Sequence, residues 1–288
     1  MIEVSAPGGR VIAAYEHGDP EGRPVISHHG TPGSGHVREK WVEQARAHGV
    51  RLITYDRAGY GASERAPGRS VADIAPDIAA VADALGVERF ATWGASGGGP
   101  HALACGALLG ERVTAVATFA GAGPADAPDL DFLGGMGEDN VIEFGAALEG
   151  EGELRPLLEK EARGMLAATP DQLVEHMRTI LSPPDIAVVT DELGADLITS
   201  IRAALRSGVD GWVDDDLACV RPWGFEVGAI ACPVQVWQGE QDLMVPAAHG
   251  RWLASHVPGA DGHISPEDGH LTLTELHLGE VFEWLLTR

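Results

Sequence analysis

The chain has 288 residues, 44% of them hydrophobic, and a formal net charge of −23. That apolar share supports a globular fold and excludes a disordered one, while the negative field repels phosphate backbones and anionic lipid, so no nucleic acid and no membrane surface is expected as a partner. Cys105, Cys219 and Cys232 are odd in number and lack metal or redox spacing; they read as buried thiols in a reduced, cytoplasmic setting, with no leader segment or membrane-length apolar run in view.

Val11–His17 and Pro24–His29 read as strands, parted by a turn at Gly18-Asp19-Pro20. The second runs into His29-Gly30-Thr31-Pro32-Gly33, and a helix is expected over about Val37–Ala47. Arg51–Asp56 is a third buried strand, entering the glycine-punctuated loop Arg57-Ala58-Gly59-Tyr60-Gly61. Ile74, Ile78, Val81 and Leu85 recur at helical spacing, with Gly86 as the stop.

Arg89–Trp93 reads as a strand, and an apolar helix follows from Gly99. Between them lies Gly94-Ala95-Ser96-Gly97-Gly98, which fits G-x-S-x-G, the nucleophile elbow. The plain alternative is a Gly-rich strand-to-helix turn, so the rest of the chain must decide. Val113–Ala120 is a further strand. From Pro124 to Gly211 the strand pattern is missing, and short helices fit, starting at Thr169-Pro170, Ser182-Pro183 and Asp191. This predicts a core of residues 1–123 and 212–288 with a helical cap inserted at 124–211. The run Asp214-Asp215-Asp216 reads as a solvated turn, or less simply as a site for a cationic group. Alternation resumes at Pro233–Gln238, then a helix over Ala247–His256, a short strand Gly262–Ser265 and a last helix over Leu276–Leu286. The pattern implies a mostly parallel, doubly wound α/β sheet.

A serine hydroxyl needs a base, and the base needs an orienting group. In open α/β sheets such groups gather where strands end. Asp242 follows the Val234–Gln238 strand and His270 follows the Gly262–Ser265 strand, in the chain order Ser96, Asp242, His270. An aspartate in a turn often only bonds its own backbone, and Glu240 is the runner-up acid. His249, His256, His263 and His277 are placed in or at helices or on the strand and are set aside. An oxyanion hole needs two backbone N–H donors; Gly97 and Thr31 supply them, since Pro32 has none.

Together, His29-Gly30-Thr31-Pro32-Gly33-Ser34, Asp56-Arg57-Ala58-Gly59-Tyr60-Gly61-Ala62-Ser63, Gly94-Ala95-Ser96-Gly97-Gly98, Gly239-Glu240-Gln241-Asp242 and Gly269-His270 resemble the α/β-hydrolase superfamily. The resemblance implies an eight-stranded core, a helical cap, a Ser96–His270–Asp242 triad, and no cofactor or metal. The His-Gly-x-Pro-Gly loop is also similar to the proline iminopeptidase-like branch, although Thr31 stands where those enzymes usually carry glycine and Gly97 where they carry tryptophan. The expected activity is hydrolysis of a small carboxylic ester through an acyl-enzyme. The alternative is an aminopeptidase acting on a short peptide, with a cap carboxylate among Glu138, Glu143 or Glu149 facing the substrate ammonium. A non-catalytic receptor on the same scaffold is the reading from another class, and an intact triad argues against it. Halide peroxidation and C–C bond hydrolysis share similar triads, whereas dehalogenation would need a carboxylate at position 96. The resemblance leaves room for a homodimer.

Overall fold

The computed structural model describes residues 1–288. Eight strands form one sheet in the order β1-β2-β4-β3-β5-β6-β7-β8. They are β1 (Ile2–Ser5), β2 (Val11–Gly18), β3 (Arg23–His28), β4 (Val50–Tyr55), β5 (Phe90–Ala95), β6 (Val113–Phe119), β7 (Val234–Gly239) and β8 (Asp261–Ser265). β1–β2 and β2–β4 pair antiparallel, and every other pair is parallel. The parallel pairs are joined by α1 (Glu39–Ala47), α2 (Ile74–Ala84), α3 (Gly98–Leu108) and α10 (Ala247–His256), and α11 (Leu271–Leu286) closes the chain.

Strand residues alternate between the two faces of the sheet. Ile26, Ile53, Val116 and Val236 enter the core shared with α2 and α3. Their neighbours Val25, Leu52, Ala117 and Trp237 enter the opposite core, shared with α11. The central strands are therefore apolar on both sides, as a parallel sheet covered by helices requires.

No strand occurs between β6 and β7. Instead come α4 (Glu138–Glu149), α5 (Glu151–Ala167), α6 (Pro170–His176), α7 (Pro183–Val188), α8 (Asp191–Ala204) and α9 (Asp210–Cys219). The start signals act as their chemistry dictates. Thr169 and Gln172 form a reciprocal capping box on α6, and Ser182 and Asp185 form one on α7, each followed by proline in the first turn. Leu154, Leu158, Leu173, Ile198, Ile201 and Trp212 give these helices an apolar core of their own, into which Tyr60 projects from the loop after β4.

Four expectations need correcting. Ile2–Ser5 is a strand, too short for its alternation to show outside the sheet that completes it. The last helix begins at Leu271 rather than Leu276, so His277 lies inside it. Cys219 and Cys232 are only half-buried, and Cys105 alone is fully buried. The Asp214–Asp216 run is no solvated turn: all three lie within α9, at 2%, 3% and 1% exposure, and that helix runs through the boundary placed at 211/212.

Candidate active site

Ser96 occupies the turn between β5 and α3 with φ of 54°, in the left-handed region. A side chain there costs about 1–2 kcal/mol and persists because its surroundings fix it. Ser96 N–H donates to the Phe119 carbonyl at 2.8 Å, and its own carbonyl accepts from Gly99 N–H at 2.9 Å. The flanking glycines are sterically required. A Cβ on Gly94 would strike the Gly98 carbonyl, and one on Gly98 would strike the His28 carbonyl. The turn can thus sit against β3 only without those side chains.

Asp242 lies in the loop after β7. Its Oδ1 accepts the Met244 and Val245 N–H groups at 2.8 and 2.9 Å, closing a local turn. Its Oδ2 accepts from His270 Nδ1 at 2.8 Å. A carboxylate only accepts, so the proton sits on Nδ1 and Nε2 carries the lone pair. Burial pushes the His270 imidazole down, but the adjacent Asp242 carboxylate outweighs it and holds the group above its ordinary value. Ser96 and His270 line one cavity of about 230 Å3, with no hydrogen bond between them in this conformation. Glu240 is turned outward to Arg251. His249 is fully buried between the Gly123 N–H and the Phe132 carbonyl. His263 stacks on Trp237, and His256 on Trp252.

Gly97 and Thr31 lie together: a Cβ on Gly97 would sit 3.5 Å from Thr31 N. Neither N–H is consumed by a backbone acceptor. The loop carrying Thr31 is braced by His29, whose Nδ1 donates to the Gly30 carbonyl at 2.8 Å while its Nε2 accepts the Arg57 N–H at 3.0 Å. Burial and the neighbouring Arg57 guanidinium hold His29 far below its usual range, hence neutral.

The residues that sequence reasoning missed are the partners of α9. Asp215 accepts from Arg57 Nε at 2.9 Å, Arg69 Nη2 at 2.6 Å, Tyr60 O–H at 2.9 Å and Thr31 Oγ1 at 2.8 Å. Burial opposes its ionisation, but the two guanidinium groups win and hold it well below the carboxylate range. Its acceptor sites are filled, so it has no room for an incoming cation. Asp214 is taken by Arg65 at 2.8 and 2.9 Å. Asp216 differs, because its Oδ2 has no partner. It lines a second cavity of about 190 Å3 with Glu143, Trp212, His101 and Ser96. Burial raises both Glu143 and Asp216, with the charges of Glu161 and Asp139 adding to it at Glu143 and that of Glu143 adding to it at Asp216. Glu138 and Glu149 are exposed and turned away.

A family model described as alpha/beta hydrolase fold matches residues 23–275. The chain belongs to the α/β-hydrolase family. It is 33% identical over 100 residues to a non-heme chloroperoxidase of Streptomyces lividans, a match spanning 34% of this chain and 36% of that protein. It is 24% identical over 252 residues to the uncharacterized hydrolase YcgS of Bacillus subtilis, covering 83% and 82% of the two chains. Its fold superposes on a thermophilic esterase from Thermogutta terrifontis with a TM-score of 0.70 at 21% identity, covering 99% of this hydrolase and 98% of the esterase. No helix of this hydrolase is long and apolar enough to cross a membrane, and no group of three or more His, Cys, Asp or Glu side chains is arranged to hold a metal ion.

Proposed function

We propose that this α/β hydrolase cleaves a small carboxylic ester through an acyl-enzyme on Ser96. The observation that carries the reading is the Asp242–His270 bond, which frees Nε2 on the cavity that Ser96 also lines. Ser96 Oγ attacks the ester carbonyl while His270 Nε2 takes its proton. Asp242 stabilises the imidazolium so formed. The Thr31 and Gly97 N–H groups hold the oxyanion. His270 then protonates the leaving alkoxide, and water repeats the sequence on the acyl-enzyme to release the acid.

The two cavities support a division of the substrate into its two halves. His270 must reach the leaving group and lines the 230 Å3 cavity, so the alcohol lies there. The 190 Å3 cavity, walled by Met136, Phe144, Ile201 and Trp212, takes the acyl group. Fluorophosphonate labelling followed by peptide mapping tests the reading. The expected label is on Ser96, and Ser96→Ala lowers turnover of a p-nitrophenyl ester by about 10⁴-fold or more. A label elsewhere, or activity surviving in Ser96→Ala, overturns it.

The Glu143–Asp216 pair favours a second reading, in which the acyl group carries a hydrogen-bond donor or protonated amine, as an N-terminal residue does. Turnover of a prolyl arylamide against that of a p-nitrophenyl ester separates the two.

A further inference from the structure

We propose that Asp185, on cap helix α7, is a positioning residue for His270: its buried carboxylate fixes the backbone from which the imidazole projects and places a second negative charge behind it. This rests on the reading of His270 as the general base.

The geometry is unusual in what it spends. α11 begins directly after His270, so the first N–H groups of that helix have no partner within it. Asp185 gathers them: Oδ2 accepts the His270 N–H at 3.0 Å, and Oδ1 accepts those of Leu271 at 2.7 Å and Thr272 at 3.3 Å. The carboxylate comes from 85 residues earlier in the chain and is completely buried. Ser182 Oγ steadies it from behind at 2.7 Å. Gly269 lets it approach, since a Cβ there would strike both the Ser182 hydroxyl and the Asp185 carboxylate.

No lysine, arginine or histidine pairs with Asp185, unlike Asp214 and Asp215. Burying an anion on N–H and O–H dipoles, with no cation beside it, is costly, and a neutral serine or asparagine caps a helix as well. The charge therefore calls for a use beyond capping. The imidazole beside it supplies one, because acyl transfer turns His270 into a cation. The ionised groups acting on His270 are Asp242 from the loop after β7 and Asp185 from α7, and both favour the protonated ring. The nearby charges on or beside α11 are otherwise engaged: Asp268 with His277 at 3.1 Å, and Glu275 with Arg38 and Lys40.

Asp185→Asn and Ser182→Ala test this. Each is assayed for p-nitrophenyl ester hydrolysis from pH 5 to 9, with thermal unfolding in parallel and the His270 ring titrated by NMR. Asp185→Asn is expected to move the acid limb of kcat/KM, and the ring titration, to lower pH and to cut kcat about tenfold or more. Ser182→Ala keeps the charge, so its acid limb stays in place while kcat falls severalfold. An Asp185→Asn protein that folds with its acid limb and ring titration unmoved overturns the proposal. Should that variant fail to fold, an unchanged kcat in Ser182→Ala overturns it instead. Failure of the hydrolase reading looks different: the wild-type protein is then inactive on esters, while the NMR titration still reports on Asp185.

Discussion

Asp242 uses its two oxygens differently, and the difference predicts what its variants do. Oδ1 serves the Met244 and Val245 N–H groups, and Oδ2 serves His270. In Asp242→Asn the amide oxygen can keep the turn, but the NH2 group then faces Nδ1 and imposes the other tautomer. Nε2 would carry the proton and could not take one from Ser96. We expect kcat to fall about 10⁴-fold with little change in thermal stability. Asp242→Ala forfeits the turn as well, and should lose about 1–3 kcal/mol of stability in addition. The base must be neutral to act, and Asp242 holds His270 above its ordinary value, so activity is lost as the pH falls through that raised value. A pH profile of kcat/KM should place its acid limb above the ordinary histidine value, and a limb below that value contradicts the proposed pairing.

Helix α9 shows how one short element joins the inserted helices to the sheet core. Consecutive helical residues point about 100° apart, so three adjacent aspartates face three different surroundings. Asp214 meets Arg65, Asp215 meets Arg57, Arg69, Tyr60 and Thr31, and Asp216 meets the cavity. Removing the Asp215 charge strands Arg57, which is completely buried. Asp215→Asn should therefore cost about 3–5 kcal/mol, read as a lower urea midpoint. It should also slow ester hydrolysis, because Thr31 loses its anchor beside Gly97. A variant of wild-type stability would show that the guanidinium groups find other partners. The same helix marks where sequence reading stops. The elbow, the Asp242 turn and the Gly269-His270 turn are legible because each is a local motif tied to a strand end. The sheet is legible from strand alternation, apart from β1. The role of Asp215 is not, since Arg57 lies 158 residues away and no spacing rule joins them. Asp185 is hidden for the same reason: locally it completes a capping box with Ser182, and its second use appears only when α11 is brought against α7.

Across the whole molecule, two buried carboxylates from the region between β6 and β7 brace two parts of the site, Asp215 the loop of Thr31 and Asp185 the turn of His270. Acidic side chains number 43 against 20 lysines and arginines, and burial of Arg57 and Arg69 together with aspartates such as Asp185, Asp214, Asp215 and Asp216 leaves that excess in place outside. The solvent-facing charge is thus strongly one-signed, and it repels itself. Added salt shortens the screening length from roughly 30 Å at 0.01 M to 3 Å at 1 M. It should weaken that repulsion far more than it weakens ion pairs as buried as Asp215–Arg57. Thermal stability should therefore rise as sodium chloride is added from low ionic strength. The same field draws cations toward the cavities, so kcat/KM for a cationic ester should fall with salt relative to a neutral ester of the same shape. If salt instead lowers the unfolding temperature, exposed pairs such as Arg155–Glu151 and Arg178–Glu175 contribute more to stability than the net repulsion takes away.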